Sequence, residues 1–406
     1  MLISVFTPSN NSSYLKNVYG SLQEQTYQNW EWVILLNNGA ELVQFNDKRV
    51  KIITDHFKIP GYIGYAKHLA CSYCTGEVYL ELDHDDLLMP TAIEETAKAF
   101  QDNEIVFAYS NDIFCTADLE KVEKFQDGYG WQYRDVEYKG HKLLETIHFP
   151  PDPTTITRIW FAPNHLRAFR SSTYKKIGGY NHEMRVLDDL EIMCRMYLEG
   201  KFKWIDKPLY LYRIHGQNNW LIHNKEIQDN VYRLHDEYIE RVVDVWCERE
   251  GLKKIELGGR IAARAGFTTV DLKDANIIHD LNEPWPFEDS SVGCIRAYDV
   301  FEHLEDKLFV MSELYRVLAP GGWAFIQVPS TDGRGAYMDP THISYWNENS
   351  FLYYTVAEFG RFYDNKIRFQ AIRNYTTPLN NFKVCWVIAQ LVCLKDEFRP
   401  AGMIEI

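Results

Sequence analysis

Leu82-Asp83-His84-Asp85-Asp86-Leu87-Leu88 is the segment of this chain best suited to chemistry. It follows an apolar run, Val78-Tyr79-Leu80, and so reads as a buried strand ending in carboxylates. Asp83 and Asp85 flank one residue, and in an extended chain both face the same side. Two carboxylates at a strand end make a hard-oxygen site for Mg2+ or Mn2+. A divalent ion there would neutralise a diphosphate, the leaving group of a nucleotide-sugar transfer. An isolated Asp-x-Asp also occurs as a solvated acidic loop, so the surrounding chain must decide.

That surrounding chain has the order strand, helix, strand. Leu2 to Phe6 forms a short β-rich run, which Thr7-Pro8-Ser9 is expected to end because proline cannot continue a central strand. A helical stretch over 12–25 precedes the apolar run Trp30 to Leu36, which stops at Asn37-Asn38-Gly39, and Val50 to Ile53 is a third strand. This order predicts a right-handed βαβ unit in a parallel sheet, with ligands at the carboxyl ends of the strands. Thr7, Asn37 and Asp83 all fall at such ends.

With these residues the chain resembles the family 2 glycosyltransferases of GT-A fold. The resemblance rests on Phe6-Thr7-Pro8-Ser9, on Gly64-Tyr65-Ala66-Lys67-His68, on Thr75-Gly76-Glu77 before the acidic cluster, on Leu187-Asp188-Asp189-Leu190-Glu191 with Arg195, and on Pro208 to His215. It covers about the first half of the chain, and the ordered series is specific although each piece is weak alone. It implies an inverting enzyme with Asp189 as the base that takes the acceptor proton. It also implies Asp83 on the ribose or the metal, Asp85 as metal ligand, and His215 as a further ligand or diphosphate contact. Thr7, Pro8, Asn37 and Lys67 would complete the donor side, and a UDP-sugar is the expected donor. Three departures stand out: Asn37-Asn38 replaces an Asp pair, Lys67-His68 replaces Arg-Asn, and Asp188 replaces Glu. Outside the resemblance, Asp188, Asp189 and Glu191 also read as the acidic first turn of a helix, and His215 as a loop histidine. Tyr129, Trp131, Tyr133, Tyr138, Trp160 and Phe161, with His141, His148 and His165, either hold the acceptor or pack the core. The segment Asn164 to Arg170 reads as a strand lining the acceptor side.

Ile227, Val231, Leu234, Tyr238, Val242 and Val245 recur at helical spacing without Pro or Gly, which predicts a connecting helix over 224–250 ended by Gly251. The expected domains are 1–223 and 251–406 on either side of it. A second α/β pattern then begins. Strands are expected at Lys254 to Leu257, Thr268 to Leu272, Ile277 to Leu281, Val292 to Ala297 and Ala324 to Pro329, with a helix ending at Pro320-Gly321-Gly322. Glu256-Leu257-Gly258-Gly259, Asp271, Asp280-Leu281, Phe301-Glu302-His303-Leu304 and Asp339-Pro340-Thr341-His342 resemble the class I methyltransferases, which use S-adenosylmethionine. The resemblance implies a Rossmann-like fold with Glu256, Gly258, Gly259, Asp271 and Asp280 around the cofactor. In an active domain His303 or His342 would be a candidate base for a sugar hydroxyl, and either reads equally as a structural histidine. The glycine pair lacks the usual third glycine, and 261–266 leave little room for a full first helix.

The 406 residues suit two domains, and 46% hydrophobic content supports packed cores. No apolar run is long enough to span a bilayer. A net charge of −14 argues against a nucleic-acid partner. The eight scattered cysteines and the early strand lead to the expectation of a cytoplasmic protein without secretory signal. Cys71 and Cys74 read as small apolar helix positions. The function expected is transfer of a sugar to a glycan or polysaccharide hydroxyl, followed by methylation of a sugar hydroxyl. One alternative makes the C-terminal domain an acceptor-binding or dimerisation module, which would give a homo-oligomer. The other makes the whole chain a glycan-binding protein.

Overall fold

The computed structural model describes residues 1–54, 62–124, 130–158, 163–216, 218–259, 264–363 and 366–395. Tyr129, Trp160, Phe161 and the residues 260–263 after the glycine pair lie outside these. The chain divides into two compact units, Met1–Val242 and Val243–Ile406. The division falls inside the uninterrupted helix Asn224–Glu250.

Ten strands form the sheet of the first unit among the described residues: β1 (Ile3–Ser9), β2 (Trp30–Leu36), β3 (Val50–Thr54), β4 (Val78–Glu81), β5 (Leu87–Leu88), β6 (Ile105–Thr116), β7 (Gln132–Tyr138), β8 (His141–Ile147), β9 (Arg167–Arg170) and β10 (Lys201–Ile214). The order is β3-β2-β1-β4-β9-β6-β10-β5, and a β7–β8 hairpin joins at β6. The first four strands are parallel, as the strand–helix–strand pattern requires. β1, β2 and β4 are buried almost throughout, because helices and core cover both faces of a parallel sheet. Pro8 does not end β1. The strand runs on to Ser9, pairing Pro8 with Leu35, while β4 stops pairing with it at Phe6. From Thr7 onward one edge of β1 is therefore free of β4, and a residue without an N–H is tolerated there.

Among the described residues seven strands form the second sheet: β11 (Lys253–Leu257), β12 (Thr268–Asp271), β13 (Ile277–Ile278), β14 (Val292–Tyr298), β15 (Leu318–Pro329), β16 (Phe369–Thr376) and β17 (Trp386–Cys393). Their order is β13-β12-β11-β14-β15-β17-β16, parallel as far as β15 and antiparallel for the last two pairings. The helix expected to end at Pro320-Gly321-Gly322 ends at Val317, and Leu318 to Gly322 form the irregular start of β15, whose register against β14 shifts there. All eight cysteines are buried and unpaired with one another, Cys71 and Cys74 included. Among the described residues, no helix is long and apolar enough to cross a membrane.

Candidate active site

The acidic segment is not a strand extension. β4 ends at Glu81, and the Asp86 N–H reaches the Asp83 carbonyl at 3.3 Å, closing a turn. The turn is held from two sides. Thr7 donates its hydroxyl to the Leu82 carbonyl (2.7 Å) and accepts from Trp32 Nε1 (2.8 Å). Thr7 is fully buried, so its side chain ties β1, β2 and the acidic turn together. On the other side Tyr210 accepts from the Asp83 N–H at 3.1 Å and donates to Asp86 at 2.9 Å. Asp86 also accepts from the Arg213 N–H (2.7 Å). Burial, together with Asp85 and Asp83, pushes the Asp86 carboxyl well above its ordinary value.

Two side chains 130 positions apart meet at the rim. His215 Nε2 lies 2.5 Å from Asp85 Oδ2, with Tyr14 stacked on the imidazole at 6.2 Å between centroids. The Arg213 guanidinium stands over Tyr14 at 4.7 Å and bonds the Asp85 carbonyl. A carboxylate oxygen and an imidazole nitrogen are ligand types of a divalent ion, and here they are hydrogen-bonded to each other. A second group, Glu81, Asp83 and His165, has its ligand atoms within 4.8 Å of one another.

Behind them lies a buried charge network. Lys67 Nζ is 2.8 Å from Glu81 and 2.7 Å from Asp188. Arg167, on β9, reaches Glu81 at 3.4 Å and pairs closely with Asp189 and with His165. His165 Nε2 lies 3.5 Å from Asp83. Tyr180 donates to Glu81 at 2.9 Å. Asp83, His165, Arg167 and Asp189 thus form one contiguous series. Burial pushes the Asp189 carboxyl up, but the Arg167 and Lys67 charges outweigh it and hold the group below its ordinary value. Burial raises Asp188 to about 6 against the pull of Lys67. The helix Asp188–Tyr197 that carries both begins directly after Leu187, whose φ of 61° is left-handed. Such a conformation in a leucine stores about 1–3 kcal/mol and fixes where the two carboxylates point.

Asn37 takes the end of β2, its N–H bonded to the Ser9 carbonyl (2.9 Å) and its buried Oδ1 without a hydrogen-bond partner. Lys67 faces the network and is buried within it. Glu81, Arg167, Tyr180 and Arg213 were not singled out from sequence for these roles. Glu81 is a charge closing the apolar strand β4, and that was the available signal. Of the aromatic stretch, Tyr138 is core and His148 is buried against Asp112 at 3.1 Å, so both serve packing.

In the second unit, Gly258 sits at φ +70° with its N–H on the Val270 carbonyl (2.8 Å), and a Cβ would lie 2.5 Å from Val300. Gly258→Ala is expected to destabilise this unit by about 1–3 kcal/mol. Gly266, at φ +84° with only a lysine side chain nearby, is the comparison. Equal urea midpoints for the two alanine variants would show that the Val300 approach imposes nothing. Asp271 ends β12 with Oδ1 near the Lys273 N–H (3.3 Å). Asp280 is exposed and bonds its own turn through Asn282. The glycine turn and Asp271 suit a nucleoside cofactor. Glu256 is differently engaged: its oxygens accept from the Arg264 N–H (2.7 Å) and Arg296 (3.2 Å). His303 and His342 meet edge to face, 4.9 Å between centroids, beside the buried Glu302. Burial pushes the Glu302 carboxyl up to about 8.

Residues 4–178 match the model of glycosyl transferase family 2, and residues 260–326 match that of a methyltransferase domain. A chondroitin synthase of Pasteurella multocida is 26% identical over 227 residues, 53% of this chain and 21% of that protein. An Escherichia coli protein named as a UDP-Glc:alpha-D-GlcNAc-diphosphoundecaprenol beta-1,3-glucosyltransferase is 28% identical over 116 residues, 27% of this chain and 45% of its own length. A probable S-adenosylmethionine-dependent methyltransferase of Mycolicibacterium smegmatis is 32% identical over 83 residues, 20% of this chain and 30% of that protein. The matches thus span less than half the length of each of these relatives.

Proposed function

We propose that this chain, which carries a family 2 glycosyltransferase domain followed by a methyltransferase domain, transfers a sugar from a nucleoside diphosphate to a glycan hydroxyl and methylates a sugar hydroxyl. The observation that carries the first half is the series Asp83, His165, Arg167, Asp189. It links the acidic turn, where a donor diphosphate would lie, to a carboxylate held ionised. Asp189 accepts the proton of the acceptor hydroxyl as that oxygen attacks the anomeric carbon from the face opposite the diphosphate, which gives inversion. Arg167 keeps Asp189 deprotonated and aims it. Asp83 meets the ribose, and the unpartnered Asn37 Oδ1 accepts from an N–H of the base. A uridine ring has such an N–H, and the glucosyltransferase relative's name supports a UDP-sugar. Asp85 and His215 are the residues that would hold Mn2+ or Mg2+, whose Lewis-acid charge favours departure of the diphosphate. The synthase relative supports a polysaccharide acceptor.

In the second unit the Gly258 turn and Asp271 would receive S-adenosylmethionine, and His303 stands among the groups that would meet the acceptor hydroxyl. A second reading, a binding module without methyl transfer, draws on Glu256, whose carboxylate is committed to Arg264 and Arg296.

The test is the melting temperature of the full chain with a panel of nucleoside diphosphates, with and without Mn2+, and separately with S-adenosylmethionine. One metal-dependent shift and one independent S-adenosylmethionine shift are expected. A nucleotide shift alone favours the binding module, and no nucleotide shift at all overturns the transferase reading. Asp85→Asn and His215→Ala should each raise the Mn2+ concentration needed for half-maximal transfer by at least tenfold, the order expected when a ligand is lost. Unchanged Mn2+ titrations would move the ion to the Glu81, Asp83 and His165 group.

A further inference from the structure

The second unit contains an arrangement of electron pairs that its own hydrogens do not satisfy. Glu302 is 1% exposed, and neither carboxylate oxygen has a hydrogen-bond partner. Its backbone carbonyl accepts from the Ile343 and Ser344 N–H groups, 2.9 Å each, so the chain holds the residue in place. His303 Nδ1 is 3.2 Å from the Thr341 carbonyl and 3.1 Å from the Thr341 hydroxyl. His342 Nδ1 is 3.2 Å from the Ala336 carbonyl. A carbonyl only accepts, so each Nδ1 carries the ring proton and each Nε2 presents a lone pair. Asp339 fixes Thr341 through its N–H (2.8 Å) and hydroxyl (2.6 Å), which sets the His303 orientation in turn. His342 Nε2 stands 3.9 Å from Glu302 Oε1, beyond hydrogen-bond reach.

Glu302 and the two imidazoles therefore converge, with one ligand atom of each within 4.8 Å of the others. Three donors about 2.1 Å from a tetrahedral ion sit ~3.4 Å apart, so the side chains close by up to about 1.4 Å to share one. Backbone carbonyls on the far imidazole nitrogens are the usual support of metal-binding histidines.

We propose that Glu302, His303 and His342 bind a divalent first-row transition ion, Mn2+ or Zn2+ in preference to Mg2+. Imidazole donors set that preference. Three protein ligands leave further coordination positions open, and Tyr337, Met338, Ile343 and Tyr345, close to His342 in sequence, stand exposed. Resting on the methylation reading above, those positions take the acceptor's hydroxyl and its neighbour, and His303 acts there as a ligand. The site is separate from Asp85 and His215, which belong to the first unit.

The test counts bound Mn2+ by electron paramagnetic resonance on the full chain. Glu302→Gln and the double variant His303→Ala/His342→Ala should each bind one ion fewer per chain than wild type. The same loss of one ion is expected in an Asp85→Asn background. Mn2+ should raise the melting temperature of Asp85→Asn but not that of Asp85→Asn/Glu302→Gln. Equal counts in folded wild type and both variants would overturn the site. Retained ion binding with no methyl transfer would sink the methylation reading alone, whereas ion-independent methyl transfer with equal counts would sink only this site.

Discussion

Replacing Asp189 by Asn is expected to lower kcat for sugar transfer about 100- to 10,000-fold, the usual contribution of a positioned general base. The Michaelis constant for the donor should change little, because the donor contacts named here lie at Asp83, Asn37 and the acidic turn. The pH dependence follows from the neighbours. Arg167 and Lys67 hold the Asp189 carboxyl below its ordinary value against the effect of burial. The base is then fully ionised at neutral pH, and the acid limb of the rate profile should fall below the normal aspartate range. Arg167→Met removes the closest of those charges, so the acid limb should move upward and kcat at pH 6 should fall more than at pH 8. The same depressed carboxyl stabilises the fold above the unfolded-state value, and that contribution is lost as pH falls through the folded-state value. Acid unfolding of Asp189→Asn should therefore be less steep than that of wild type. A wild-type kcat in Asp189→Asn, with an unchanged melting curve, would remove Asp189 from the reaction.

The part of this site legible in the sequence is the part made of short patterns. The acidic segment, the Leu187 to Arg195 series and the terminal His215 each announce themselves, and the helix Asn224–Glu250 has the bounds that its 3.6-residue periodicity predicts. The strand runs Trp30–Leu36 and Val78–Glu81 were equally plain, since parallel strands buried on both faces read as unbroken apolar runs. What stayed hidden depends on long-range pairing. Arg167 meets Asp189 only because β9 enters the sheet antiparallel between β4 and β6, and no local pattern specifies that register. Nor does any spacing place His165 beside Asp83. Pro8 misled because its exemption depends on where β4 stops pairing. β16 and β17 were missed because β17 pairs with β15 across more than 50 intervening residues, and β16 joins the sheet only through β17. In the second unit the glycine pair marked the turn, but only the structure shows the Glu256 oxygens already taken.

The largest stability effect belongs to Lys67. Its ammonium is buried between Glu81 and Asp188, which hold it well charged despite the burial. Lys67→Met keeps the volume and removes the charge, leaving Asp188 without its cation and Glu81 with Arg167 alone. Breaking a buried pair by deleting one partner costs about 3–5 kcal/mol, because the remaining charge is stranded in a poor solvent. For a unit of this size that is a fall of about 6–20 °C in the first unit's melting transition. Asp188→Asn in the Lys67→Met background should recover part of the loss, since it removes the stranded carboxylate. The sum of the two single effects should then exceed the double, as expected for residues in one network. The pH response provides an internal check. Asp188 is raised to about 6, so its contribution to stability is present below its unfolded value and declines as pH rises through 6. Without Lys67 that decline should be steeper, and Lys67→Met should lose more stability at pH 8 than at pH 5. A uniform loss across that range would mean that packing of the lysine stem, and not its charge, holds the network together.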